Sequence, residues 1–306
     1  TDKYADRCMF CTDDKHPSDL LEKGHIDYII KKAISMGADP ILAIKVASTN
    51  AARYFRLNNR GAIALGYLAD FVIINNFEEF TVEQVYKKGK LMFSGGKFKN
   101  FKAPPVDEFL TERAHSTFKV DRLTPEAFKI DRPRGVLGMV SGELMTTDEG
   151  YATGVDIDKD ILKIAVVERH NYTGHIGIGY IKGYGLKSGA VATSISHDSH
   201  NIIVVGTNDG DMAAAVNHIA ENGGGITVFD GGKCIGDVKL EIAGLLSEAP
   251  LVDVNKNLED AKVKAFELGV SKLIDPFMTL SFMSLPVIPK LRLTTRGEIG
   301  RASCRE

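Results

Sequence analysis

Hydrophobic and polar positions change period several times along the chain. Residues 6–11 form a short mixed run, Asp-Arg-Cys-Met-Phe-Cys, closed by Thr12-Asp13-Asp14-Lys15-His16-Pro17. An apolar run ending in polar residues and proline predicts a buried strand entering a loop. From Asp19 the pattern turns helical: Leu20, Leu21, Ile26, Ile29, Ile30, Ala33 and Ile34 recur every three or four residues until Gly37. Asp39-Pro40 opens a second helix, with Asp39 as N-cap and Pro40 in the first helical position. It carries Ile41, Ile44, Ala47 and Ala51 on one face and runs to about Phe55. Beyond Gly61 the chain is rich in turns and then in β-branched residues, which predicts strands. Two more strands are expected at 82–88 and 90–93, joined by Gly89 and closed by Gly95-Gly96.

Weak periodicity and prolines at 104, 105 and 133 mark residues 99–136 as a linker holding a domain boundary. The second half predicts an α+β domain over 137–293. Its strands are expected at 136–144, 161–168, 176–181, 189–196, 201–206 and 225–230. Helices are expected at 212–221, with Asp211 as N-cap, and at 258–268 after Asn257, with a shorter amphipathic piece at 239–246. Residues 294–306 show no apolar period. They read as a disordered tail, or as sequence foreign to the protein, and carry no expected function.

The length of 306 residues suits two domains, and 44% apolar with 25% charged residues is ordinary for a chain with a large core. Lys and Arg number 38 against 40 Asp and Glu. This balance gives no electrostatic footprint for nucleic acid. No apolar stretch approaches the roughly 20 residues that cross a bilayer, so no membrane partner is expected. Cys8, Cys11, Cys234 and Cys304 are too few for a disulfide framework and fit a reducing, cytoplasmic setting. The chain starts at Thr1 with polar residues, which reads as a processed or truncated chain without a signal peptide.

Several residues could carry chemistry. Asp13 and Asp14 follow a predicted strand; a carboxylate at such an end can hold a cation and take a proton from its water, or simply cap a turn. Cys8 and Cys11 have the Cys-x-x-Cys spacing, but no second pair completes a zinc site, and residues three apart in a strand face opposite ways. They read as core thiols. His197-Asp198-Ser199-His200-Asn201 is the densest polar cluster and lies between two β-rich segments. Its imidazoles could bind metal, shuttle protons or hydrogen-bond a heterocycle, or belong to a polar turn. His170 and His175 flank a nearby turn and could converge on the same place. The Gly206-Thr-Asn-Asp-Gly-Asp-Met stretch reads as a capped helix start, since its acids would repel phosphate. His-x-Glu is absent, and with it the zinc base-deaminase signature; Gly-x-Ser-x-Gly is absent too.

Three segments of the first hundred residues resemble the end of an amidohydrolase-superfamily enzyme: Cys11-Thr-Asp-Asp-Lys-His-Pro, Asp39-Pro-Ile-Leu-Ala-Ile-Lys-Val-Ala-Ser-Thr-Asn-Ala-Ala, and Gly61-Ala-Ile-Ala-Leu-Gly-Tyr-Leu-Ala-Asp-Phe-Val-Ile. The second half is similar to the C-terminal domain of bacterial and archaeal adenine deaminases. The segments that carry this likeness are Val167-Glu-Arg-His, Thr173-Gly, Gly183-Tyr-Gly-Leu, His197-Asp-Ser-His-Asn-Ile-Ile-Val-Val-Gly and Asn208-Asp-x-Asp-Met. The resemblance implies an α/β and α+β architecture. Residues 1–60 would be the last strand and helices of a (β/α)8 barrel and 61–98 part of a small β-sandwich, with the separate α+β domain behind the linker.

It also implies hydrolytic deamination of adenine to hypoxanthine and ammonia in purine salvage, a divalent metal (manganese or iron), and a homo-oligomer. Asp13 matches the family's metal-binding and proton-accepting carboxylate, with Asp14 as its stand-in. His197, Asp198, His200 and Asn201 are then candidates for substrate or domain-interface roles. The family's His-x-His is missing, so the expectation is a C-terminal fragment with one strand of the barrel, inactive alone. Two other readings stand beside it: a cyclic-amide amidohydrolase, and a non-catalytic binding or oligomerisation module.

Overall fold

Gly24 divides the first predicted helix in two. In the computed structural model, which describes residues 2–99 and 104–300, Gly24 has φ +92°, and a Cβ there would lie 2.7 Å from Asp27 Oδ2. The Asp27 carboxylate instead accepts from the His25 N–H at 2.7 Å and starts the second piece. The chain therefore runs through α1 (Asp2–Ala5), α2 (Pro17–Glu22) and α3 (Ile26–Ser35). α4 (Pro40–Ala47) is capped as its sequence predicts, Asp39 accepting from Leu42 N–H at 2.8 Å. It stops at Ser48, whose hydroxyl donates back to Ile44 O at 2.6 Å, and α5 (Thr49–Tyr54) follows.

The strand expected at 6–11 is not formed. A strand needs a ladder partner, and here a side chain ties the segment down: buried Asn50 donates through Nδ2 to Ala5 O (2.7 Å) and Cys8 O (2.9 Å). Cys8 and Cys11 are exposed, so they are not core thiols. Residues 61–70 are also irregular, with Ile63 and Leu65 exposed. The strands begin at β1 (Phe71–Ile74) and continue with β2 (Val82–Lys87), β3 (Lys90–Ser94) and β4 (Lys97–Phe98), an antiparallel sheet in sequence order. Ile30, Ala43 and Phe80 centre the small core of this unit.

The chain divides into two compact units between Pro105 and Val106. Residues 106–136 of the expected linker belong to the second unit. α6 (Glu108–His115) is capped by Asp107, and a 3-10 turn at Pro125–Phe128 buries Phe128 completely. Then come β5 (Arg134–Met139), β6 (Thr146–Ala152), β7 (Ile161–Val167), β8 (Ile176–Lys182), β9 (Ala190–Thr193), β10 (Ile202–Gly206), α7 (Asp209–Glu221), β11 (Gly225–Asp230) and β12 (Lys233–Lys239). α8 (Leu251–Glu267), α9 (Met278–Ser281) and the hairpin β13 (Leu291–Thr294) with β14 (Gly297–Gly300) complete it.

One eight-stranded sheet, ordered β12-β11-β9-β10-β7-β8-β5-β6, organises the unit; β5 and β8 run parallel and the other neighbours antiparallel. Its inner strands are apolar on both sides because both faces are covered. Leu162, Ile164 and Val166 share one core with Leu258, Ala261 and Ala265 of α8, which packs on β12 and β11. On the other face Ala165, Val167, Ile202 and Val204 share a core with Phe128 and with Met212, Val216 and Ile219 of α7, which packs on β9, β10 and β11. Each fully buried aliphatic side chain contributes about 1.5–3 kcal/mol.

Other expectations are corrected here. Asn208, not Asp211, caps α7, accepting from Asp211 N–H at 2.8 Å; the Asp211 carboxylate takes Gly232 N–H at 2.7 Å. α8 starts at Leu251 rather than 258, and residues 239–246 form no helix: Lys239 ends β12 and an isolated Ile242–Leu246 bridge follows. The structureless tail from 294 does not hold for the described residues: Glu298 in β14 accepts from Gly135 N–H at 2.8 Å, and Leu293 is fully buried. Residues 301–306 lie outside the described chain. Among the described residues, no helix is long and apolar enough to cross a membrane.

Candidate functional site: the loop between β9 and β10

The apolar strands β9 and β10 pair with each other and leave residues 194–201 to cross the sheet end. Ser194 pins the start of the loop, donating to Gly244 O at 2.6 Å and accepting from Gly225 N–H at 2.9 Å. Ser196 shares a 2.5 Å hydrogen bond with the Ser284 hydroxyl, and His197 N–H donates to Ser281 O at 3.0 Å. His200 closes a tight turn onto Ser196 O at 2.5 Å, with φ +50° in the left-handed region.

Two imidazoles project from this frame. His197 stacks on Phe282 with ring centroids 4.5 Å apart and 15° between planes, and its ring centroid lies 6.2 Å from that of His200. Asp198 is mostly exposed, its carboxylate 3.6 Å from His197 Nδ1. His200 Nδ1 is buried without a hydrogen-bond partner. Burial holds the His200 pKa below its ordinary 6.5, with His197 and Arg169 adding to the effect, so the ring is neutral near pH 7. A neutral imidazole carries one donor and one acceptor nitrogen. His170 joins the cluster, its Nε2–H donating to Ser199 O at 2.8 Å. His175 does not; it lines a separate cleft with Arg132, Arg134 and Arg296.

Beneath the loop lies Arg169, 1% exposed. Its guanidinium donates to His200 O (2.5 Å), Ala243 O (2.9 Å) and Thr117 Oγ1 (3.3 Å), and sits 4.1 Å from the centre of the Phe118 ring. Burial lowers its pKa to about 10. Its N–H also donates to Oδ1 of buried Asn201 at 3.3 Å. Next to it, the Glu168 carboxylate accepts from the N–H groups of His170, Asn171 and Thr173 and from the Thr173 hydroxyl. Burial pushes Glu168 up, and these donors together hold it below its ordinary value. Arg169, Glu168, Phe282 and Ser284 received no role from the sequence. The one available signal is a pair of opposite charges, Glu168-Arg169, ending the apolar run of β7.

Asp13 and Asp14 belong to the first unit. Both are exposed, and Asp13 Oδ1 accepts from Asp14 N–H at 2.9 Å. Thr12 Oγ1 lies 3.0 Å from His25 Nε2. A family-type divalent cation needs several converging donors. Among the described residues, no group of three His, Cys, Asp or Glu ligand atoms gathers at Asp13 or Asp14. These residues therefore do not fit a metal centre by themselves.

Residues 3–92 match the amidohydrolase family, whose members are typically divalent-metal dependent. Residues 141–302, the sheet unit with its His197–His200 loop, match the adenine deaminase C-terminal domain. The chain belongs to the adenine deaminase C-terminal domain family. It is 44% identical to adenine deaminase 2 of Carboxydothermus hydrogenoformans, over 97% of this chain and 53% of that protein. It is 43% identical to the adenine deaminase of Petrotoga mobilis (97% and 53%) and 42% to that of Nitratidesulfovibrio vulgaris (96% and 52%). The chain spans about half the length of these curated relatives.

Proposed function

We propose that the protein takes part in the hydrolytic deamination of adenine to hypoxanthine and ammonia, in purine salvage in the cytoplasm and as a homo-oligomer. The observation that carries this reading is the His197–Asn201 loop: a rigid, half-buried pair of imidazoles within a region similar to adenine deaminases. In this proposal Phe282 fixes the plane of His197. Arg169 holds the His200 carbonyl, so that the neutral His200 ring faces a heterocycle or the domain that binds it. Asn201, buried at the strand end, accepts from the Arg169 backbone N–H and helps to hold the loop. Asp13 is the carboxylate that accepts a proton from the attacking water, with Asp14 as its alternative. The cation is manganese or iron; since Asp13 and Asp14 do not complete its site, the remaining donors must come from elsewhere.

The test is a chimera in which this chain replaces the matching half of the Carboxydothermus hydrogenoformans relative. The chimera and the chain alone are assayed for hypoxanthine formation with added manganese. The chimera should turn adenine over. His197→Ala and His200→Asn, the latter retaining a residue that tolerates the left-handed backbone, should each reduce turnover without lowering the melting temperature. A chimera that folds but does not deaminate adenine overturns the activity. Unchanged turnover in both variants overturns the role of the loop.

A further inference from the structure

In a regular strand, residues three apart face opposite sides, yet Cys234 and Asp237 of β12 come together. The pairing of β12 with β11 explains how. Val228 faces Gly236, but the next residue, Phe229, faces Cys234, so Ile235 is an extra, bulged residue. A bulge reverses the alternation beyond it and re-aims side chains. Gly236 is thereby packed against Ala261 of α8, while Cys234 and Asp237 emerge on the side of α7. The last turn of α7 lays His218 over them, its ring edge-on to Phe229.

The donor atoms converge. His218 Nε2 lies 3.1 Å from Asp237 Oδ1 and 3.8 Å from Cys234 Sγ, and the three ligand atoms lie within 4.8 Å of one another. Around a tetrahedral zinc ion, with bonds of about 2.0–2.3 Å, such pairs stand about 3.3–3.6 Å apart. Asn222 Nδ2 approaches the same imidazole nitrogen at 3.0 Å. An amide N–H and a carboxylate oxygen thus compete for one nitrogen: a proton on Nε2 satisfies the carboxylate and leaves the amide facing a donor, and its absence does the reverse. A cation between Nε2, Oδ1 and Sγ removes that conflict, and Asn222, at the helix end, can turn its amide oxygen inward. Thr227 Oγ1, 3.4 Å from Sγ, supplies an outer contact that orients the sulfur. The side chains of His218 and Asp237 are 28% and 29% exposed and Cys234 is exposed, which leaves a path for entry and a solvent position for a fourth ligand.

We propose that His218, Cys234 and Asp237 form a binding site for a borderline divalent cation of the zinc class, with water or Asn222 as fourth ligand. The His/Cys/carboxylate set favours such an ion over calcium or magnesium, which select oxygen donors. Binding releases the thiol proton to solvent.

The test uses the full chain with Cys8, Cys11 and Cys304 changed to Ser, so that Cys234 is its one thiol. Cobalt(II) is the probe. One equivalent should bind with thiolate-to-cobalt charge-transfer absorption, displaced by zinc. Cys234→Ser should abolish the band with the metal-free melting curve unchanged. His218→Gln and Asp237→Asn should each weaken binding roughly tenfold or more. No charge-transfer band in the Cys234-only chain overturns the site, as does binding unaltered in both His218→Gln and Asp237→Asn.

Discussion

Changing Arg169 to Met keeps an unbranched stem in the space beneath the His197–His200 loop and deletes the guanidinium. Two part-buried carbonyls, of His200 and Ala243, lose their guanidinium donor. An orphaned buried acceptor costs about 1–3 kcal/mol, and the lost Phe118 contact about 1 kcal/mol more. Against this stands the relief of a buried charge: a guanidinium held at a pKa of about 10 rather than 12.5 is penalised by about 3 kcal/mol. The difference is a loss of about 2 kcal/mol, read as a lower urea midpoint for the second unit. A second readout comes from His200. Burial is the main cause of its lowered pKa, and the Arg169 guanidinium adds to it. NMR titration should therefore move the His200 pKa upward in the variant, still short of 6.5. The sign for stability follows. An imidazole with a depressed pKa binds fewer protons folded than unfolded, so its contribution is complete above 6.5 and is lost as pH falls below that value. The variant should lose less stability over that acid range than the wild type. A urea midpoint equal to wild type together with an unmoved His200 titration would refute the reasoning, because the guanidinium would then be neither a strap nor a neighbouring charge.

Two further predictions concern the hairpin β13–β14. Burial raises the Glu298 carboxyl above its ordinary 4.5 against the pull of Gly135 N–H, Arg134 and Arg132. A raised acid binds more protons folded than unfolded, so its contribution is present at low pH and lost as pH rises above 4.5. Glu298→Gln retains the acceptor for Gly135; thermal melts should find it more stable than wild type at neutrality and equal below 4.5, and a less stable variant at neutrality contradicts the burial argument. Gly177→Ala places a Cβ 1.7 Å from Thr294 O, a backbone atom that cannot swing away. Overpacking of that kind costs about 3 kcal/mol, and a variant with the wild-type denaturant midpoint would show that the hairpin does not rest on β8.

The long apolar runs of β7 and β10 and the Asp39 cap were legible because their signal is local: a period, or a residue type at a fixed offset. The edge strands were not. β6 reads Thr-Thr-Asp-Glu-Gly-Tyr-Ala, mostly exposed, and in β12, Lys-Cys-Ile-Gly-Asp-Val-Lys, the bulge at Ile235 breaks the alternation that would have shown its apolar face. Residues 6–11 misled in the opposite direction, an apolar run held by the Asn50 side chain instead of a ladder. The His197–Asn201 cluster stood out by its density of polar groups between two apolar strands. Its supports, Arg169 and Phe282, did not, since they reach the loop from remote positions in the chain. Cys234 and Asp237 were hidden by a single bulged residue, because a spacing of three implies opposite faces until the register is known.

The hairpin β13–β14 also sets a timetable for synthesis. Leu293 and Arg292 are buried, and Thr146 exchanges hydrogen bonds with Pro289, Lys290 and Leu291. Residues near 290–298 thus seal strands made from positions 135–182. Translation at about 5–20 residues per second leaves those strands outside the ribosome for roughly 5–30 s before their cover emerges. Through that interval the core of Leu137, Leu162 and Ile181, fully buried in the finished unit, lacks its Leu291 and Leu293 members. The core of this sheet is therefore completed by the part of the unit that is made late, and a chain stopped before residue 290 would leave it open.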